Sequence, residues 1–97
     1  MLKGKDKRYL RGRAAVIKAS LQCGREGLTE SFIDELKGAL KRDELVKISV
    51  NKTAPMNAED AAESCAAATG SEVVQVIGRK AVLYKRSEDN PVIVLPE

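Results

Sequence analysis

"CGREGLTE", residues 23–30, decides how the chain is read. Gly24 and Gly27 bracket an arginine and a glutamate, and Thr29 follows at once. Glycines admit backbone conformations closed to other residues and leave no side chain between the backbone and a ligand. Threonine is a preferred helix N-cap, and Leu28 and Ile33 occupy the two positions of a hydrophobic staple. The stretch therefore predicts a turn that ends a strand and begins a helix. Just before it, "SLQC" (20–23) reads as a short strand. Beyond it, Phe32, Ile33, Leu36 and Leu40 make the apolar stripe of a helix running from Glu30 to about Lys41.

Toward the N-terminus, Leu10, Ala14, Ile17 and Leu21 recur at helical spacing and predict a helix over residues 5–19. Lys7, Arg11 and Lys18 share a neighbouring stripe of that helix, so one face packs while the next presents cations. Toward the C-terminus, "ELVKISVN" (44–51) alternates: Val46, Ile48 and Val50 face one way, Lys47 and Ser49 the other. That is the pattern of a strand covered on one face. After the loop "KTAPM", Asn57 caps a helix whose face of Ala61, Ala62, Cys65, Ala66 and Thr69 is thin enough to lie close on a sheet, with Gly70 as its C-terminal stop. "EVVQVIGRKAVLYKR" (72–86) predicts a hairpin of Val73–Ile77 and Ala81–Lys85 turning at Gly78-Arg79. "SEDNP" breaks the pattern, and "VIVL" (92–95) is either an edge strand or a segment draped over the domain.

The order is α-β-α-β-α-β-β, which predicts an α/β fold: one sheet of about four strands with helices packed on it. The 97 residues suit a single domain, 1–97, with 87–97 as an extended tail or edge strand. Apolar residues make up 43% of the chain and no apolar run is long enough to span a bilayer. The basic N-terminus lacks the apolar segment of a secretory signal, so the expected location is the cytoplasm.

The net charge is only +3, but it is unevenly placed. Lys3, Lys5, Lys7, Arg8, Arg11, Arg13, Lys18 and Arg25 all precede Glu26, opposed by Asp6 alone. Such asymmetry points to a polyanionic partner, nucleic acid or an anionic membrane surface; the plainer alternative is a solvated helix face. The glycine turn has the same two readings. Free N–H groups at the helix start together with Arg25 suit a phosphate, although Glu26 opposes one, while many strand-to-helix turns carry glycines for conformation alone.

Enzyme chemistry has little to work with. There is no histidine, and hence neither the commonest general base nor the usual zinc ligand. Cys23 and Cys65 form no CxxC pair and read as reduced core thiols. Glu59, Asp60 and Glu63 suit the exposed first turns of a helix better than a metal site. Neither a nucleotide P-loop nor a dinucleotide fingerprint is present. The expectation is no catalysis, no cofactor and no metal. Tyr9, Phe32 and Tyr84 are too few for a base-stacking platform, so nucleic-acid binding would rest on phosphate and shape.

"GKDKRYLRGRA", "QCGREGLTESFIDELKGAL", "ELVKISV" and "GSEVVQVIGRKAVLYKRS", in this order, resemble the CRM domain (chloroplast RNA splicing and ribosome maturation), and within it the stand-alone bacterial YhbY-type proteins. The resemblance extends to the closing "VIVLP". It implies a fold similar to the C-terminal domain of translation initiation factor 3, RNA binding, association with large-ribosomal-subunit precursors and no catalytic activity. By the family pattern the RNA loop maps to Gly24, Arg25, Glu26 and Gly27, with Lys7, Arg8, Arg11 and Lys18 as its basic neighbours. The loop departs from the family's usual Gly-Lys-x-Gly, often with Asn third, and Cys23 stands where an aliphatic residue is common. Histidines common on the first helix of relatives are also missing. The reading is a monomeric RNA-binding protein with ribosomal RNA as partner and no membrane contact. The alternative is a protein-interaction module docking through the small-residue helix or the C-terminal strand.

Overall fold

The computed structural model describes residues 2–89 and 91–95. Its elements are α1 (Gly4–Ala14), β1 (Leu21–Cys23), α2 (Glu30–Asp43), β2 (Leu45–Val50), α3 (Ala58–Thr69), β3 (Glu72–Ile77) and β4 (Lys80–Tyr84). The strands form one mixed sheet in the order β1-β2-β4-β3. β1 runs parallel to β2, and the β2–β4 and β3–β4 pairs are antiparallel. This is the α/β order that the sequence predicts.

Local chemistry explains the boundaries. Thr29 Oγ1 accepts the Phe32 N–H at 3.0 Å and starts α2; Asn57 Oδ1 accepts the Asp60 N–H at 2.7 Å and starts α3. Gly70, at φ +71°, ends α3 in the left-handed region that glycine tolerates. The hairpin turns at Gly78, φ +57°.

The sheet is covered on both faces. On one, α2 and α3 enclose the larger core of Phe32, Leu36, Leu40, Val46, Ile48 and Leu83. The small face of α3 (Ala61, Ala62 and Cys65, all fully buried) lets that helix approach closely. On the other, Leu10 and Ala14 of α1 pack with Leu45, Val74, Val82, Tyr84 and Ile93. The expectation of a β2 strand covered on one face is therefore corrected. Lys47 reaches across the second face and donates to the Ile17 carbonyl at 2.9 Å, keeping its stem on apolar surface and its charge satisfied.

Two other boundaries differ from the sequence reading. The first helix stops at Ala14, not Ala19; Ile17 lies beyond it and Leu21 opens β1. The β-branched pair Val16-Ile17 favours the exit, and Val16 is 86% exposed, so no packing holds the helix on. Lys18 is consequently not on the helix. Glu44 is not the first residue of β2. It caps α2 at φ +64°, fully buried.

The Glu44 carboxylate is a clamp. It accepts the backbone N–H groups of Ser87 (2.6 Å), Val92 (2.6 Å) and Ile93 (2.7 Å). Residues 91–95 form no strand; they lie along the α1 face with Ile93 buried and Leu95 half-buried. Residues 90, 96 and 97 of the expected tail lie outside the described residues.

Candidate nucleic-acid interface

The glycine turn closes on itself: the Gly27 N–H donates to the Gly24 carbonyl at 3.0 Å. Arg25 and Glu26 form its exposed tip. The two glycines have different roles. Gly27 is buried at φ +75°, and a Cβ there would stand 3.0 Å from Pro55 Cγ and 3.4 Å from Met56 Cε. Gly24 has no positive φ, and a Cβ there would meet nothing within 4 Å. Gly27 is thus required by the fold, whereas Gly24 leaves an open surface. Gly27→Ala is expected to lower stability by about 1 kcal/mol or more, while Gly24→Ala leaves it nearly unchanged. Thermal melts of the two variants side by side check this; equal losses would mean that the turn constrains both positions alike.

Beside the turn stands the start of α2. Thr29 satisfies Phe32, which leaves the Glu30 and Ser31 N–H groups without an intrahelical acceptor. Ser31 borders a shallow depression of about 310 Å³, lined also by Gly24, Glu26, Gly27, Thr29 and Glu35. Among the described residues, two carboxylates, Glu26 and Glu35, are the only charged groups that line it, so the depression itself is acidic.

Cations arrive from elsewhere. A second hollow, about 380 Å³, is lined by Asn51, Lys52, Met56, Asn57, Gly78 and Arg79. Met56 also touches the Gly27 position, so the two hollows flank the 51–57 loop. That loop end is pinned to both neighbours: the Val50 N–H donates to the Arg79 carbonyl at 2.7 Å and the Asn51 N–H to the Cys23 carbonyl at 2.9 Å. Lys52 and Arg79 are the cations the sequence reading missed. They are remote in sequence and meet only through the pairing of β2 with β4.

The first helix is placed differently. Arg8 and Arg11 are exposed and Lys7 is half-buried. Arg13 lies over the Tyr9 ring at 5.9 Å and donates to its hydroxyl at 3.2 Å. The Leu2 N–H donates to the Glu72 carboxylate at 3.0 Å, so α1 begins where Glu72, Tyr84 and Leu45 lie in register. After α1 the chain enters β1 with the Ser20 N–H on the Lys47 carbonyl, at 2.9 Å. Both contacts lie toward the end of the sheet away from the turn, which follows Cys23, the partner of Val50. The structure therefore groups Gly24–Gly27 with Lys52 and Arg79. Lys7, Arg8 and Arg11 sit on the opposite face, toward the other end of the strands, and Lys18 lies in the connection between.

The thiols are removed from solvent. Cys23 and Cys65 are fully buried and free. Burial, with a smaller contribution from Cys23, pushes the Cys65 thiol up to about 11, and burial raises Cys23 as well. Among the described residues no group of three or more His, Cys, Asp or Glu could hold a metal ion. Nor is any helix among them long and apolar enough to cross a membrane.

Comparison with known sequences decides the family. The profile of the CRS1 / YhbY (CRM) domain matches residues 2–85. The chain belongs to the CRM domain family. Its CRM relatives include the Bacillus subtilis protein named "Probable RNA-binding protein YqeI", 38% identical over 99% of this chain and 100% of that one. A Haemophilus influenzae protein named "RNA-binding protein" is 32% identical over 91% of this chain and 89% of its own length. The solution structure of a hypothetical Staphylococcus aureus protein superposes with a TM-score of 0.80 at 40% identity, covering 99% of this chain and 100% of that one. The CRM fold thus follows both from the chain's own register and from a solved relative.

Proposed function

We propose that this CRM protein binds RNA without catalysing a reaction, as a monomer in the cytoplasm, and that its RNA is ribosomal, engaged during large-subunit assembly. The observation that carries the reading is the Gly24–Gly27 turn. Its first glycine leaves an unobstructed backbone surface, Arg25 projects beside it, and Lys52 and Arg79 stand on the adjoining loops. A phosphate reaching the open backbone at Gly24 gains charge-assisted bonds from these side chains. Glu26 and Glu35 repel phosphate from the depression and are suited to accept from a donor such as a ribose hydroxyl. Lys7, Arg8, Arg11 and Lys18 supply a second cationic zone. The RNA-binding names of the relatives and the family match support the reading. The large-subunit assignment rests on resemblance to the YhbY-type proteins.

Fluorescence anisotropy with a large-subunit ribosomal RNA fragment, titrated with salt, tests it. Binding is expected to weaken linearly in log Kd against log salt as counterions return to the RNA. Gly24→Ala is expected to weaken binding several-fold at unchanged melting temperature. Absence of salt-dependent RNA binding, with a partner protein bound tightly at high salt, would replace this reading by a protein-interaction module. Failure to co-sediment with large-subunit precursors in a lysate would remove the ribosomal assignment alone.

A further inference from the structure

We propose a second phosphate-binding site for RNA in the cavity between the C-terminal half of α2, the last residue of α3 and the segment 85–89 that follows β4. It rests on the RNA-binding reading and lies apart from the glycine turn. The cavity measures about 340 Å³, within the range of small-molecule pockets and enough for a nucleotide unit. Lys37 and Lys41 of α2 line one side, and Lys85 and Arg86, leaving β4, line another. Leu40 and Thr69 lie between them.

Lysines near the end of α2 have an ordinary use, since cations complement the negative end of a helix. Lys85 has the same use at α3, whose last residue, Thr69, it bonds through the carbonyl, and the Arg86 charge acts on the buried Glu44 carboxylate. Those separate uses do not explain why all four cations line one cavity. Like charges gathered in one cavity repel. Among the described residues neither Lys37, Lys41 nor Arg86 has an ion-pair partner within 4.0 Å. Lys85 donates to the Thr69 carbonyl at 2.9 Å, which orients its ammonium. Glu88 and Asp89 also line the cavity, yet neither pairs with any of the four cations. Arg86 is also partly balanced by the buried Glu44 carboxylate, and four cations against these three carboxylates still leave the cavity positive.

Its position extends the interface. α2 has 14 residues, so its two ends stand about 21 Å apart. The cavity is at the end away from the glycine turn. Lys85 and Arg86 also line a neighbouring hollow with Leu2 and Asp6, where α1 begins. Asp6 and Glu72 also line that hollow, so the cations of α1 and those of the cavity are neighbouring zones joined at Lys85 and Arg86 rather than one continuous strip. An RNA backbone following α1 would deliver a phosphodiester to the cavity.

The test is the double variant Lys37→Glu/Lys41→Glu, with Lys37→Gln/Lys41→Gln as a milder companion in case the first melts early. Both residues are exposed, so the fold should survive. With the ribosomal RNA fragment, the Glu pair is expected to bind about tenfold more weakly while folded, with a small drop in melting temperature from placing acids near the negative end of α2. The Gln pair is expected to bind about threefold more weakly, with the slope of log Kd against log salt shallower by about one for each phosphate no longer neutralised. Unchanged affinity and slope in the folded variants, while the parent binds RNA and Gly24→Ala weakens it, would overturn this site and leave the proposed function standing. No RNA binding by the parent would overturn both. NMR titration with AMP and inorganic phosphate distinguishes the source. Saturation of the Lys37 and Lys41 signals by AMP at micromolar concentration would reassign the cavity to a free nucleotide and overturn the RNA site.

Discussion

Glu44→Ala is expected to melt roughly 15 °C or more below the parent protein. The carboxylate is fully buried and accepts three backbone N–H bonds from residues 43 to 49 positions away. Bonds to a charged acceptor contribute about 1.5–3 kcal/mol each, and they are not additive. Removing the acceptor leaves the Ser87 and Ile93 N–H groups without it in buried surroundings, for a loss of about 3–5 kcal/mol. In a domain of this size each kcal/mol corresponds to about 4–8 °C. Glu44→Gln is expected to fall partway, because its amide NH₂ meets a backbone N–H, donor against donor. Melts of both variants check this, and a shift of only a few degrees for alanine would show that the apolar contacts of Ile93 hold the segment unaided.

The same carboxylate sets a pH dependence. Burial alone would push the Glu44 carboxyl up, but the bonds from Ser87, Ile93 and Val92, with the Arg86 charge, outweigh it and hold the group below its ordinary value of 4.5. A carboxyl lowered on folding contributes stability that is complete above that ordinary value and is lost as pH falls through the folded-state value. The melting temperature of the parent should therefore drop in acid more steeply than that of Glu44→Gln, which has no such proton to gain.

Reversing Arg8 and Arg11 together to glutamate is expected to weaken RNA binding well over tenfold, with melting nearly unchanged. Both side chains are exposed on α1, and neither forms an ion pair with a described residue. The helix is held instead by Leu10 and Ala14 beneath. Two reversals replace four units of charge at a phosphate surface, altering both affinity and its salt dependence. Equal affinity of parent and folded variant at low salt would make this face a solvated one and confine binding to the glycine turn.

Much of the molecule is readable in the sequence because its signals are local. Thr29 and Asn57 announce helices through bonds to residues three positions on. The alternation of Val46, Ile48 and Val50 marks the face that α2 and α3 cover. What the sequence hides depends on distance along the chain. Ile17 and Leu21 continue the helical spacing of Leu10 and Ala14, yet they pack from beyond the helix, and no local pattern separates the two cases. Glu44 fits the start of an alternating strand, and its buried role depends on the tail segment it holds. Cys23 and Gly24 fall in the strand and the turn where their pattern puts them, but the different duties of Gly24 and Gly27 depend on Pro55 and Met56. Lys52 and Arg79 carry no shared signal until β2 and β4 bring them together.

The placement of α1 and the glycine turn at opposite ends of the sheet, on a body 40 Å long, bears on how affinity should grow with ligand length. An oligonucleotide too short to reach both zones gains only one of them. Once an RNA is long or bent enough to reach both, the second contact forms at the high effective concentration set by the first, and avidity rises without any new bond type. Affinity should then climb in a step with RNA length rather than in proportion to it. The protein would favour large folded RNAs by their span, with no base needing to be read.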